Sequence, residues 1–286
     1  MKAWLYIVAA GVIFGLGGPG TKWLINEGLD PIFLTGVIFA IAAVACLLVH
    51  RFSGGVSVRG WLWAMGLGMV SGSGPAIFFN LGFQRLPVSI TTILISSGPI
   101  FTAFTAHFLG SSDRFSTIKA LGLSLSVGGV VLLVGTPAGS GSVAGIVLTL
   151  IGAALSGATL PFVKRMAMIH SPATTLAPMM SGAGLLGLAT IAAAGKWQSP
   201  DPGQWTMILA LAATLALAFF SVLGANQLAP ASQASLFAYI IPLVGVLLGV
   251  TAFGEEIGWR LVLGSLLVLG GVLLVGLQRR QPAFSQ

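Results

Sequence analysis

The sequence predicts an all-α integral membrane protein: ten transmembrane helices arranged as two inverted five-helix repeats (5+5), with both termini cytoplasmic. Three observations carry this. Hydrophobic residues make up 56% of the 286 residues and charged residues only 7%, with a mean hydropathy of +1.01, where a soluble domain carries about 25% charged residues. Apolar runs of spanning length recur along the whole chain. The chain also repeats itself. Pro19 pairs with Pro161, Pro31 with Pro172, Pro87 with Pro230 and Pro99 with Pro242, at offsets of 141 to 143. Lys22 and Lys164, Gln84 and Gln227, and Gly128-Gly129 and Gly270-Gly271 keep the same register.

Ten apolar runs have the roughly 20-residue length that crosses the hydrocarbon core as a helix: 3–22, 32–50, 60–83, 88–109, 117–135, 143–163, 173–194, 204–226, 232–252 and 259–277. Two units follow, 1–137 with helices 1–5 and 143–280 with helices 6–10. The first run lacks a signal-peptide cleavage pattern and reads as a retained helix. The lone Cys46 lies in an apolar run and reads as a small core residue.

The +7 net charge does not point to nucleic acid, because the basic residues are scattered at segment ends. With a cytoplasmic N-terminus, Lys2, Arg51, Arg59, Arg114, Lys119, Lys164, Arg165, Arg279 and Arg280 fall inside, and Lys22, Arg85, Lys196 and Arg260 outside. Nine against four obeys the positive-inside rule. Five helices per unit is an odd number, so the second copy enters the membrane from the opposite side. Inverted repeats of this kind place a substrate site where the two units meet and suit alternating access.

Charged groups at membrane depth are costly and functional, yet Glu27, Asp30, Asp113, Asp201, Glu255 and Glu256 all lie at segment ends or in loops. Glu255 and Glu256 read as a cap or anchor for the last helix. His50, His107 and His170 are too dispersed for a metal site, and no nucleophile–base constellation or phosphate-cradling loop occurs. The sequence therefore predicts no enzyme activity, no cofactor and no metal. Its expected partners are a small-molecule substrate and the lipid bilayer, with no obligate protein partner.

The positive signal is a polar stripe that follows the repeat. Ser89, Thr92, Ser96 and Pro99 share one face of the fourth helix, and a shift of 143 gives Ser232, Ser235, Tyr239 and Pro242 in the ninth. Each proline frees a backbone carbonyl one turn earlier, at Ile95 or Ala238, and such backbone is tolerated at membrane depth where it lines a cavity. The same small polar residues also serve ordinary helix packing, so the spacing leaves both readings open. Phe14, Phe78, Phe79, Phe101, Phe162 and Phe237 are candidate aromatic walls, since a ring face holds a cation or an apolar group. Asn80 and Asn226 are candidate gates. Gly17-Gly18-Pro19-Gly20 and Gly72-Ser73-Gly74-Pro75 are candidate hinges. Gly11/Gly15, Gly68/Gly72 and Gly245/Gly249 have the spacing of close helix packing.

Residues 78–115, FFNLGFQRLPVSITTILISSGPIFTAFTAHFLGSSDRF, and 219–258, FFSVLGANQLAPASQASLFAYIIPLVGVLLGVTAFGEEIG, are each followed by a Gly-Gly helix, GGVVLLVG or GGVLLVG. This double pattern resembles the EamA family of the drug/metabolite transporter superfamily, over nearly the whole chain. The resemblance implies a bacterial inner-membrane carrier, with amino acids or related metabolites as cargo and export as the direction. A nucleotide sugar or sugar phosphate is the alternative cargo, and a scramblase or membrane enzyme the alternative outside transport. The chain departs from the family in having Phe14 where a Trp is common, no Arg in LTGVIFAIAA, and Asp113 in place of the first Gly-Glu, while Gly254-Glu255-Glu256 keeps the second.

Overall fold

The computed structural model describes residues 2–50, 57–108, 117–134, 142–228 and 237–277. Among these the only regular structure is helical: α1 (Lys2–Asn26), α2 (Pro31–His50), α3 (Val58–Gly68), a π-helical turn (Met69–Ser73), α4 (Gly74–Arg85), α5 (Val88–Ile95), α6 (Gly98–Phe108), α7 (Thr117–Val134), α8 (Val143–Ile169), α9 (Pro172–Ala194), α10 (Pro202–Leu228), α11 (Phe237–Phe253) and α12 (Trp259–Leu277). Among the described residues six segments are long and apolar enough to cross a membrane: α1, α2, the rod Val58–Arg85, α8, α9 and α10. Four shorter apolar segments, Val88–Thr102, Ser124–Leu133, Phe237–Phe253 and Trp259–Gly271, accompany them.

Local sequence sets the helix ends. The Ser57, Ser142 and Ser171 hydroxyls accept from the backbone N–H groups of Gly60, Gly145 and Thr174, as N-cap serines do. Gly195 closes α9 in the left-handed region at φ 64°, which lets the Lys196 N–H reach the Ile191 carbonyl at 3.1 Å. Apolar residues face outward over much of the surface, and Trp4, Trp63, Trp197 and Trp259 are each more than half exposed. In a lipid solvent that is the expected arrangement, with tryptophans near the interfaces.

The most extensive helix pairings all join the first half of the chain to the second: α2 with α9, α7 with α12, α1 with α10 and α11, and α8 with α4 and α6. Glycine permits these approaches. A Cβ added to Gly187 would meet the Gly36 Cα at 2.6 Å, and one on Gly129 would meet the Gly264 carbonyl at 2.7 Å. The three paired glycines singled out by spacing also sit at interhelix contacts. Gly11 and Gly15 face Ile240 and Val244, Gly68 and Gly72 face Met179 and Ala183, and Gly245 and Gly249 face Thr92 and Ser89. Neither half encloses a core by itself: the largest buried cluster combines Phe33, Leu34 and Ala42 with Met179, Met180 and Ile208.

Two boundaries differ from the apolar runs. The run 60–83 extends to Val58–Arg85 and contains the π turn, where the Gly74 N–H bonds back to the Met69 carbonyl. The run 88–109 is not one helix. It breaks at Ser96-Ser97, between α5 and α6. The Ser96 and Ser97 hydroxyls donate to the Thr92 and Leu94 carbonyls at 2.9 and 2.7 Å, and Pro99 supplies no N–H to continue the ladder.

Candidate substrate site

A cavity of about 240 Å³ lies between the halves. Its lining follows the repeat register. Phe14 and Ser156, Gly18 and Leu160, and Thr21 and Val163 line it at an offset of 142, while Ser71 and Thr214, Ala76 and Phe219, Asn80 and Leu223, and Ile95 and Ala238 line it at 143. Both halves therefore present the same helical faces to one space. Phe14 and Ser156, Asn80 and Leu223, and Thr21 and Val163 fill matched positions with different chemistry. Phe14 packs edge-on against Phe219 at 5.5 Å between ring centroids and stacks on Phe237 at 6.1 Å, and Phe39 meets Phe219 at 6.3 Å. These rings make an apolar wall. Thr21, Thr35 and Asn80 also line the cavity.

No Asp, Glu, Lys, Arg or His is among the described residues lining this cavity. The polar lining is hydroxyl and amide. Thr35 donates to the Pro31 carbonyl at 2.8 Å and accepts from the Asn80 amide at 2.8 Å. Since the Thr35 proton is committed to a carbonyl, its oxygen can only accept, which fixes the orientation of the Asn80 amide. Thr92 donates to the Val88 carbonyl at 2.9 Å, and Thr102 reaches across to the Gly157 carbonyl at 2.9 Å. That last bond uses an acceptor left unpaired by Pro161, which has no N–H to offer one turn later.

The residues expected from sequence divide into two groups. Phe14, Gly18, Gly72, Pro75, Phe79, Asn80, Thr92 and Pro99 line the cavity, as does Phe237. Ser96, Phe101, Tyr239, Pro242, Phe78, Phe162, Pro19 and Asn226 do not. Ser96 is buried with its hydroxyl on the Thr92 carbonyl. Tyr239 is half-buried and packs against the cluster that holds Leu94 and Leu133. Asn226 donates to the Val222 carbonyl in its own helix at 2.9 Å. Phe162 is 36% exposed on the outer surface. Ser235 lies outside the described residues, as do Ser232 and Asp113. Thr21, Thr35, Phe39, Ser156 and Phe219 line the cavity and were not singled out in sequence. The signal for Ser156 and Phe219 was present, since carrying Phe14 and Ala76 through the repeat register lands on them.

The ends of the helices around the cavity are tied by polar contacts. The Lys22 ammonium donates to the Phe83 and Leu86 carbonyls at 2.6 and 3.2 Å, capping the end of α4. Glu255 departs from expectation. Its carboxylate does not anchor the last helix but accepts from the Val88 and Ser89 N–H groups at 2.5 and 3.0 Å, capping α5 in the other half. A helix N-terminus offers unpaired N–H groups and a positive dipole end, and a carboxylate satisfies both. Nearby, the loop after α1 meets the loop after α9. Asp30 pairs with Lys196 at 3.3 Å, and the Gln198 amide donates to the Gly28 carbonyl at 3.2 Å.

Comparison with known proteins agrees with this arrangement. The chain is 25% identical over 281 residues to a protein of Archaeoglobus fulgidus described as an uncharacterized transporter, covering 96% of this chain and 99% of that one. It is 53% identical over 49 residues to the permease-like protein YdzE of Bacillus subtilis, covering 17% of this chain and 63% of that one. A crystal structure of a protein 18% identical in sequence superposes with a TM-score of 0.68 over 98% of each chain, a likeness of fold alone. The EamA-like transporter family matches twice, over residues 1–135 and again over 143–277, and with its apolar spans and shared central cavity the chain belongs to that family of multi-pass membrane transporters.

Proposed function

We propose that this transporter moves small amine-bearing metabolites, amino acids being the first class to test, outward across the bacterial inner membrane by alternating access around the cavity. The observation that carries this reading is the lining itself. Matched faces of the two halves surround one space of about 240 Å³, a size for a metabolite and below the usual range for drug-sized ligands. A rocking motion of one half against the other would expose such a space to either side.

Ten spans arranged 5+5 and inverted, with both termini cytoplasmic, complete the proposal. The six long segments and four shorter apolar ones add to ten. The helix pairings support a twofold relation. Exchanging each helix for its repeat mate turns the α1–α10 pairing into α8 with the rod containing α4, and α1–α11 into α8 with α5 and α6, and both members of each pair occur. The contacts among Lys22, Leu86, Val88 and Glu255 and between Asp30 and Lys196 suit loops that share one membrane face. Lys22, Arg85, Lys196 and Arg260 belong to that face in the positive-inside assignment.

An anionic cargo such as a nucleotide sugar fits less well. Phosphate recognition calls for Arg or Lys, none of the described lining residues is either, and the Lys22 ammonium is held by backbone carbonyls. The test is uptake into liposomes containing the purified protein, across an amino-acid panel, with and without a pH gradient. Saturable uptake is expected. Its absence for every amino acid, from protein shown to be folded, would remove amino acids from the proposal.

A further inference from the structure

The hydrogen-bond polarity of the cavity carries the cargo class further. A hydroxyl has one proton and two lone pairs. Thr21 donates to the Gly17 carbonyl at 3.0 Å, Ser71 to Leu67 at 2.7 Å and Thr159 to Ser156 at 2.9 Å. Thr35, Thr92 and Thr102 donate to carbonyls in the same way. Each of these hydroxyls faces the cavity region with its proton already committed, so toward a ligand it acts only as an acceptor. Pro99 and Pro75 withdraw two further N–H groups and leave carbonyl oxygens one turn back in the lining helices. Few donors remain among the described lining residues: the Ser156 hydroxyl, the second proton of the Asn80 amide and the Gly98 N–H at the start of α6.

The rest of the wall is apolar, aliphatic side chains such as Ile13, Leu160 and Val222 together with aromatic rings. Phe14, Phe39, Phe219 and Phe237 form one connected group, and ring faces carry negative potential that attracts cations. The cavity thus offers oxygen lone pairs, ring faces and aliphatic surface, few donors and, among the described lining residues, no cation. A carboxylate entering it would exchange its hydration for these few scattered donors, which is a costly transfer. An ammonium group needs acceptors, and acceptors are what the walls supply.

We infer that the cargo is recognised through its cationic amine and not through a carboxylate, so that organic monocations with an apolar body are better substrates than the zwitterionic amino acids they derive from. This rests on the carrier reading above. Thr35, Asn80 and the carbonyl of Ile95 would receive the amine, and the Phe14–Phe219 pair would take the cation face and the apolar body.

The test uses one skeleton with four head groups: phenethylamine, phenylalanine amide, phenylalanine and phenylacetate. Flux is measured into vesicles with and without the protein, alongside ligand-induced shifts in the melting temperature of the purified protein. The amine and the amide should give saturable, protein-dependent flux and a melting shift. Phenylalanine should be at least tenfold weaker and phenylacetate inert. Phe219→Leu and, separately, Phe14→Leu keep apolar bulk but remove the ring face, and each should weaken the amine roughly tenfold without changing its melting temperature in the absence of ligand. Gly66→Ala, away from the cavity and with nothing within 4 Å of the added Cβ, should leave the amine unaffected. Phenylalanine or phenylacetate carried as well as the amide would overturn the amine inference while leaving the carrier reading intact. No flux and no melting shift for any of the four would overturn both.

Discussion

The two halves of this transporter solve one packing problem with opposite partners. In the first half, Lys22 at the end of α1 donates to the carbonyls of Phe83 and Leu86 at the end of α4. In the second, the donor sits on the other helix of the matched pair: Gln227 at the end of α10 donates to the carbonyls of Ala167 and His170 at the end of α8, at 2.9 and 2.8 Å. Helices ending inside a protein leave carbonyls unpaired, and each half meets that demand from whichever side carries a long donor. Repeat symmetry fixes where helices meet, while residue identity decides which one gives the proton.

The same contrast holds at the proline-bearing helices. Ser96-Ser97-Gly98 precedes Pro99, and the helix breaks into α5 and α6. Tyr239-Ile240-Ile241 occupies the matching positions before Pro242, and α11 runs through without a break. A proline alone therefore does not break a helix here. Two serines that bond their own backbone, followed by a glycine, weaken the first copy, whereas bulky side chains packed on α1 and α5 hold the second. At the cavity, Asn80 is matched by Leu223 and Ala76 by Phe219, so matched positions carry different side chains.

The largest expected effect comes from forcing the halves apart. Gly68 lies against the Met179 backbone, and Gly68→Leu should abolish folded protein, because overpacking against main chain has no flexible neighbour to yield. Gly66, two residues away, has nothing within 4 Å of an added Cβ, and Gly66→Ala should leave the yield of monodisperse protein unchanged. Equal yields for both variants would mean that this interface does not hold the halves together.

Next are the two opposed caps. Lys22→Met removes a charged donor from two carbonyls and should cost about 2 kcal/mol, against about 1 kcal/mol for Gln227→Leu. Thermal melting in detergent checks the order, and a larger drop for Gln227→Leu would reverse the account of which half depends more on its cap. Smaller still is the break itself. Ser96→Ala with Ser97→Ala favours continuous helix by about 0.5 kcal/mol per site, or roughly fivefold together. Flux in the liposome assay should fall by about that factor while melting holds or rises. Unchanged flux would show that the break has no part in the cycle. Tyr239→Phe keeps the ring packed against its cluster and should alter flux by less than about twofold. A larger loss would bring the tyrosine hydroxyl into the transport cycle despite its place outside the cavity.

Sequence alone made the helical, membrane-spanning character legible, because a bilayer accepts only long apolar segments with internally paired backbone. It also made the duplication legible, since prolines and glycines mark backbone positions that both copies must keep, and the glycine pairs at close contacts for the same reason. Which side chains meet across the cavity was not legible. Phe219 approaches Phe14, and Thr35 approaches Asn80, from helices 205 and 45 residues apart in the chain. Their contact depends on how the halves interlock rather than on local pattern. The redirection of Glu255 from its own last helix to the start of α5 has the same origin. A carboxylate goes to the unpaired N–H groups that the tertiary structure brings near, and only the folded chain decides whose they are.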